Sequence, residues 1–73
     1  MQKVKIYVPL LEEGTPTIRG TEAIFLGNNL YQLLEPGDYD SEDEVWEFPP
    51  QSIVVGETKK NGDELLLIAI GKA

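Results

Sequence analysis

Between Lys3 and Ile70 the chain offers five short apolar runs separated by Gly, Pro and Asn, and no stretch that holds a helical period long enough to build a helix. Val4, Ile6 and Val8 alternate with Lys3, Lys5 and Tyr7, a period of two that predicts a first strand, and Pro9 closes it by removing a ladder donor. Residues 10–18, LLEEGTPTI, place Gly14 and Pro16 among acids and threonines and predict a surface loop, long for a hairpin. Arg19 to Leu26 resumes the alternation, with Thr21, Ala23 and Phe25 on one face. Gly27-Asn28-Asn29 then predicts a tight hairpin, because Gly and Asn tolerate positive φ, and Leu30 to Glu35 is its partner strand, ending at Pro36-Gly37. Ser52 to Thr58 is β-branched, Lys59-Lys60-Asn61-Gly62 carries an Asn-Gly turn signal, and Glu64 to Ile70 is the last strand.

Five strands in 73 residues leave no helical layer to cover a sheet face. Curling the sheet on itself both buries that face and protects its edges. The expectation is a single all-β domain over residues 1–73, a small five-stranded, mostly antiparallel SH3-like barrel. The loop at 10–18 then stands where such barrels carry their largest loop. An OB-like barrel is the alternative, disfavoured for want of a helix between the third and fourth strands. The run Leu65 to Ile70 is apolar on both faces, which fits a strand covered on both sides, whereas an uncovered face would be a dimer seam.

Composition removes several chemistries. The chain has no Cys and no His, so it can build no disulfide, thiolate nucleophile, Cys-ligated zinc site or imidazole-centred triad, and Ser41 and Ser52 are its only serines. No spacing favours a Ser-Lys or carboxylate mechanism, and the expectation is a non-enzyme without cofactor or metal. The six basic residues, Lys3, Lys5, Arg19, Lys59, Lys60 and Lys72, are scattered, which argues against direct nucleic-acid binding. The N-terminal apolar run is broken by Lys5 and Pro9, and the longest uninterrupted one is the six residues from Leu65 to Ile70, far short of the roughly 20 that a membrane helix needs. A cytoplasmic location is expected.

The net charge of −7 comes from one place. Glu35, Asp38, Asp40, Glu42, Asp43, Glu44 and Glu47 follow one another without an intervening Lys or Arg, and they lead into the only tryptophan, Trp46, in DYDSEDEVWEFPP. Ser41 with Glu44 three residues later has the capping-box form, so a single helical turn from Ser41 to Val45 is expected before Pro49-Pro50 stops it. A calcium loop is a tempting reading, with Asp38, Asp40, Glu42 and Glu44 at ligand positions one, three, five and seven. The register fails at Asp43, where glycine is needed, and at Pro49, where a bidentate Glu is needed. Paired carboxylate catalysis needs burial that nothing here indicates. Trp46 and Phe48 alternate, and the plain reading is that they plug an open end of the barrel. The functional alternative sets Trp46 and Tyr39, with Tyr31, on a ledge beside the acids, as SH3 domains hold peptides.

Glu13-Gly14-Thr15, Ile18-Arg19, the hairpin Leu26 to Tyr31, and above all Asp43-Glu44-Val45-Trp46-Glu47-Phe48-Pro49-Pro50 followed by Ser52-Ile53-Val54 together give the chain a family likeness. It resembles a group of short uncharacterised bacterial proteins that carry an EGT segment and a WEFPPGS-like segment in this order. The chain departs from that pattern at Gln51, where the pattern has Gly, and at Ile18, where it has Trp before the arginine. The resemblance implies a bacterial single-domain barrel and no assigned activity.

The expected function is that of a small protein-binding module or accessory protein. Tyr39, Asp40, Glu42, Asp43, Glu44 and Trp46 are its candidate partner-binding residues, and the acidic segment 35–47 would steer a partner with a basic surface. Two rivals are an immunity- or antitoxin-like inhibitor whose acids mask a cationic nuclease site, and a structural subunit of a larger complex. No membrane or nucleic-acid partner is expected, and the chain would be a monomer or weak homodimer.

Overall fold

Six strands form where apolar and polar residues alternate, in a computed structural model that describes residues 2–73: β1 (Lys3–Leu11), β2 (Thr17–Gly27), β3 (Leu30–Leu33), β4 (Val45–Trp46), β5 (Ile53–Asn61) and β6 (Glu64–Lys72). Five of them close a ring in the order β1-β2-β3-β5-β6-β1. Each of the four chain-consecutive neighbours in that ring is antiparallel. An odd number of alternating strands leaves the first and last pointing the same way, so the closing pair must be parallel. It is, at Tyr7 beside Ile68. The chain is thus an all-β, mostly antiparallel small barrel, and no helix occurs among the described residues.

The interior follows from the period of two. Ile6 and Val8 of β1, Ala23 of β2, Leu33 of β3, Val54 of β5 and Ala69 of β6 point inward and are almost fully buried, with Trp46 and Phe48 added from outside the ring. A five-stranded barrel has little room, and it is filled by large residues facing small ones. Gly56 shows the limit: a Cβ there would stand 2.6 Å from Tyr31 Cε1 and 3.2 Å from Leu67 Cδ1. Thr21 is the buried polar residue of the set, and its hydroxyl donates to the carbonyl of Leu34 at 3.0 Å.

Several local expectations shift. Pro9 does not end β1, which continues to Leu11. Its carbonyl accepts from Glu47 N–H at 2.9 Å, on the side away from β2. The nitrogen and carbonyl of one extended residue face the same side, so the missing N–H costs the β1–β2 ladder nothing. The loop between β1 and β2 therefore covers only residues 12–16, and the long irregular excursion lies instead between β3 and β4. The last hairpin turns at Gly62-Asp63, with Asn61 paired to Glu64 and Lys59 and Lys60 inside β5. Gly62 has φ 65° and Asp63 an ordinary negative φ, the signs of a type II′ turn rather than the Asn-Gly type I′ turn. The type I′ signs appear at Asn28 and Asn29 (φ 52° and 64°), while the register slips by one residue between Phe25 and Gly27, a bulge at exposed Leu26. β6 is not covered on both sides: Leu65 is 72% exposed because β5 and β6 run past the end of the ring, and Ile70, next to inward-facing Ala69, is exposed on the outer face.

Candidate functional site

The acidic segment crosses one end of the barrel, and its course is fixed from three sides. At its start, Tyr39 N–H closes a turn on the Pro36 carbonyl at 3.2 Å. In the middle, one helical turn forms, but its cap is Asp40 rather than Ser41: the Asp40 carboxylate accepts from Glu42 N–H at 2.9 Å, and its carbonyl accepts from Asp43 and Glu44 N–H, both at 3.0 Å. A carboxylate at the cap accepts more strongly than a hydroxyl and is favoured by the partial positive charge of the helix start. At its end, β4 pairs with β1 through Leu10 opposite Trp46 and Leu11 opposite Val45.

Arg19, on β2, ties the segment down. Its Nη2 donates to Asp38 Oδ1 at 2.7 Å, its Nη1 to Glu44 Oε2 at 3.0 Å, and its Nε to the Gly20 carbonyl at 3.2 Å. One planar fork thus holds two carboxylates six residues apart, which a lysine's single ammonium would not do in this geometry. The two pairs are unequal. Asp38 is 75% exposed and its pair contributes little, whereas Glu44 is 18% exposed and is held as well by Trp46 Nε1 donating to Oε1 at a long 3.4 Å.

Trp46 is 4% exposed and Phe48 is buried beside it, so the pair plugs the barrel end as the alternation predicts. Tyr39 packs edge-on against the indole, with ring centroids 5.0 Å apart at 70°. Beyond Phe48 the chain turns at Pro49-Pro50-Gln51-Ser52, closed by Ser52 N–H to the Pro49 carbonyl at 3.1 Å. Gln51 takes φ 76°, so the type II geometry is kept without a glycine.

The six sequence candidates therefore divide. Trp46 is taken up by the core and offers no exposed ledge; Glu44 is engaged by Arg19 and Trp46; Tyr39 is half-buried under the segment. Asp40, Glu42 and Asp43 remain at the surface, joined by Glu35 and Glu47, which the candidate set omits. Among the described residues no three acids converge as a metal site would require, since Asp38 and Glu44 turn toward Arg19 and Asp40 toward the backbone. Arg19 is the residue that composition alone passes over. Its signal was available: it is the only arginine among six basic residues, and arginine is the type suited to gripping two carboxylates.

Comparison with protein-family models, with curated proteins and with solved structures finds no match for the chain. A functional reading rests on this geometry alone.

Proposed function

We propose that the chain is a small protein-binding module whose acidic segment, residues 35–47, docks a partner with a basic surface. The observation that supports this reading is the fixing of the segment. Arg19, the Asp40 cap, β4 and the Trp46 plug hold the backbone in one course, while Glu35, Asp40, Glu42, Asp43 and Glu47 stay exposed without a lysine or arginine among them. Ordering like charges beforehand removes part of the entropy cost of binding, and a concentrated anionic field raises the rate at which cations encounter it. A flexible acidic tail would supply the field without the order.

The test separates the surface acids from those that hold the segment in place. A variant with Glu42→Gln, Asp43→Asn and Glu47→Gln keeps Arg19, Asp38, Asp40 and Glu44, so its fold should match the native protein by circular dichroism. Both are used to capture partners from a cell lysate at low and moderate salt. A basic protein held by the native chain, lost with the variant and released by salt supports the reading. If that protein is a nuclease inhibited one-to-one, the module acts as an immunity-type inhibitor. Equal capture by both proteins removes the acidic segment from the function.

A further inference from the structure

Among the described residues, the end of the barrel opposite the acidic segment is open and apolar. Phe25 and Tyr31 sit on facing strands with ring centroids 5.3 Å apart, and the Tyr31 ring and Leu67 both lie over Gly56. Leu65 is two residues before Leu67 on the same face of β6 and is the most exposed large hydrophobic residue described. Phe25, Tyr31, Leu67 and Leu65 thus form one strip across the mouth. Scattered exposed apolar residues need no explanation, but a continuous strip does.

The charges around this strip identify what fits it. Lys3, Lys59 and Lys60 lie at this end, and so do Glu57, Asp63 and Glu64, so the end sums to zero, while the Lys5 ammonium lies over Tyr7 and lines a cavity on the barrel flank with Glu22 and Glu35. The net charge of −7 therefore falls away from this end, nearly all of it at the other. Two copies can meet at the balanced end with their acidic ends directed apart, without setting strongly negative surfaces together.

We infer that a second copy of this chain docks on the open mouth, strip against strip, in a two-fold symmetric dimer. The contact is face to face rather than through sheet edges. β3 reaches β5 only as far as Val55, with Gly56 N–H bonding the Asn29 carbonyl, so Glu57 to Asn61 is a free edge centred on Lys59. Symmetric pairing of that edge would set Lys59 against its own copy, the usual guard against strand addition. A stable dimer commonly needs roughly 800 Å² from each partner. That is about one sixth of the 4817 Å² surface of this chain, within the reach of one barrel end. The contact leaves residues 35–47 free, so it is independent of the acidic docking surface.

The test is sedimentation equilibrium of the full chain from micromolar to near-millimolar concentration. The native protein should shift reversibly from monomer to dimer. Leu65→Lys and, separately, Phe25→Lys should each raise the dissociation constant roughly tenfold or more, the consequence of losing one buried apolar side chain and burying a charge. Leu11→Lys, an exposed leucine at the acidic end, should leave it unchanged. Circular dichroism confirms that each variant is folded. Added salt should preserve or tighten the dimer, because the apolar strip carries the contact and salt screens the repulsion between the acidic ends. A native protein that stays monomeric throughout overturns the inference. So does a dimer that Leu65→Lys and Phe25→Lys both leave intact, or one that moderate salt dissolves, the mark of acids on one copy gripping lysines on the next.

Discussion

Two positions carry backbone or packing stress that a single substitution can relieve or provoke. Gln51 holds φ 76° at the second central position of its turn, where a side chain costs about 1–2 kcal/mol. Glycine would remove that cost and add about 0.5–1 kcal/mol of unfolded-chain entropy. The balance predicts that Gln51→Gly stabilises the fold by roughly 0.5–1 kcal/mol, visible as a rise of a few degrees in the thermal midpoint. A fall would mean that Gln51 makes a contact worth more than its strain. Gly56 is the converse. Its missing Cβ is the space that the Tyr31 ring fills, so Gly56→Ala must displace the ring from between Phe25 and Leu67. The expected loss is about 1–3 kcal/mol by chemical denaturation, as for other overpacked cores. The turn was legible from Pro49-Pro50, but the demand at Gly56 was not, because it arises from a neighbour 25 residues away in sequence.

At the level of elements, alternation made the five ring strands legible and failed where partner geometry decides. Pro9 continues its strand only because its nitrogen faces β4 rather than β2, and no local pattern records that. The Asn61-Gly62 signal loses to the register that points Leu67 and Ala69 inward, which moves the turn one residue onward to Gly62-Asp63. β4 was not legible, since two residues carry no period; it exists because Trp46 and Phe48 are drawn into the barrel end and leave their backbone beside β1. That burial predicts the largest single loss in the chain. Trp46→Ala should cost about 3–5 kcal/mol, a large share of the roughly 4–11 kcal/mol typical of a chain this long. Arg19→Met tests the other fastening. It strips the cation from a mostly buried Glu44 and from an exposed Asp38, for an expected loss of about 1–3 kcal/mol. Amide exchange should separate it from a global effect: residues 38–44 should lose protection while β5 and β6 keep theirs relative to the new stability. Arg19→Lys should restore little, because one ammonium cannot span both carboxylates.

For the whole molecule, the decisive property is that its charge is sorted along the barrel. Six charged residues cancel at the open mouth, Lys5, Glu22 and Glu35 line a cavity on the flank, and eight acids face Arg19 and Lys72 at and around the plugged end. Stability there is a contest between two Arg19 ion pairs, one of them well exposed, and the mutual repulsion of Glu35, Asp38, Asp40, Glu42, Asp43, Glu44 and Glu47. The exposed pair contributes at most about 1 kcal/mol, and salt weakens both terms, but the repulsive pairs are far more numerous. Repulsion should win. Raising salt from about 0.01 M to about 0.15 M shortens the screening length from roughly 30 Å to roughly 8 Å, less than the breadth of the acidic end, and should raise the thermal midpoint. A falling midpoint would show instead that the Arg19 fork dominates. The two cases part further in a charge-reversed chain. Glu42→Lys with Asp43→Lys leaves Arg19, Asp38 and Glu44 in place and changes the net charge from −7 to −3, so it should raise the low-salt midpoint and flatten its rise with salt. If the fork governed, the same pair of substitutions would leave the salt response as it was, since neither residue touches Arg19.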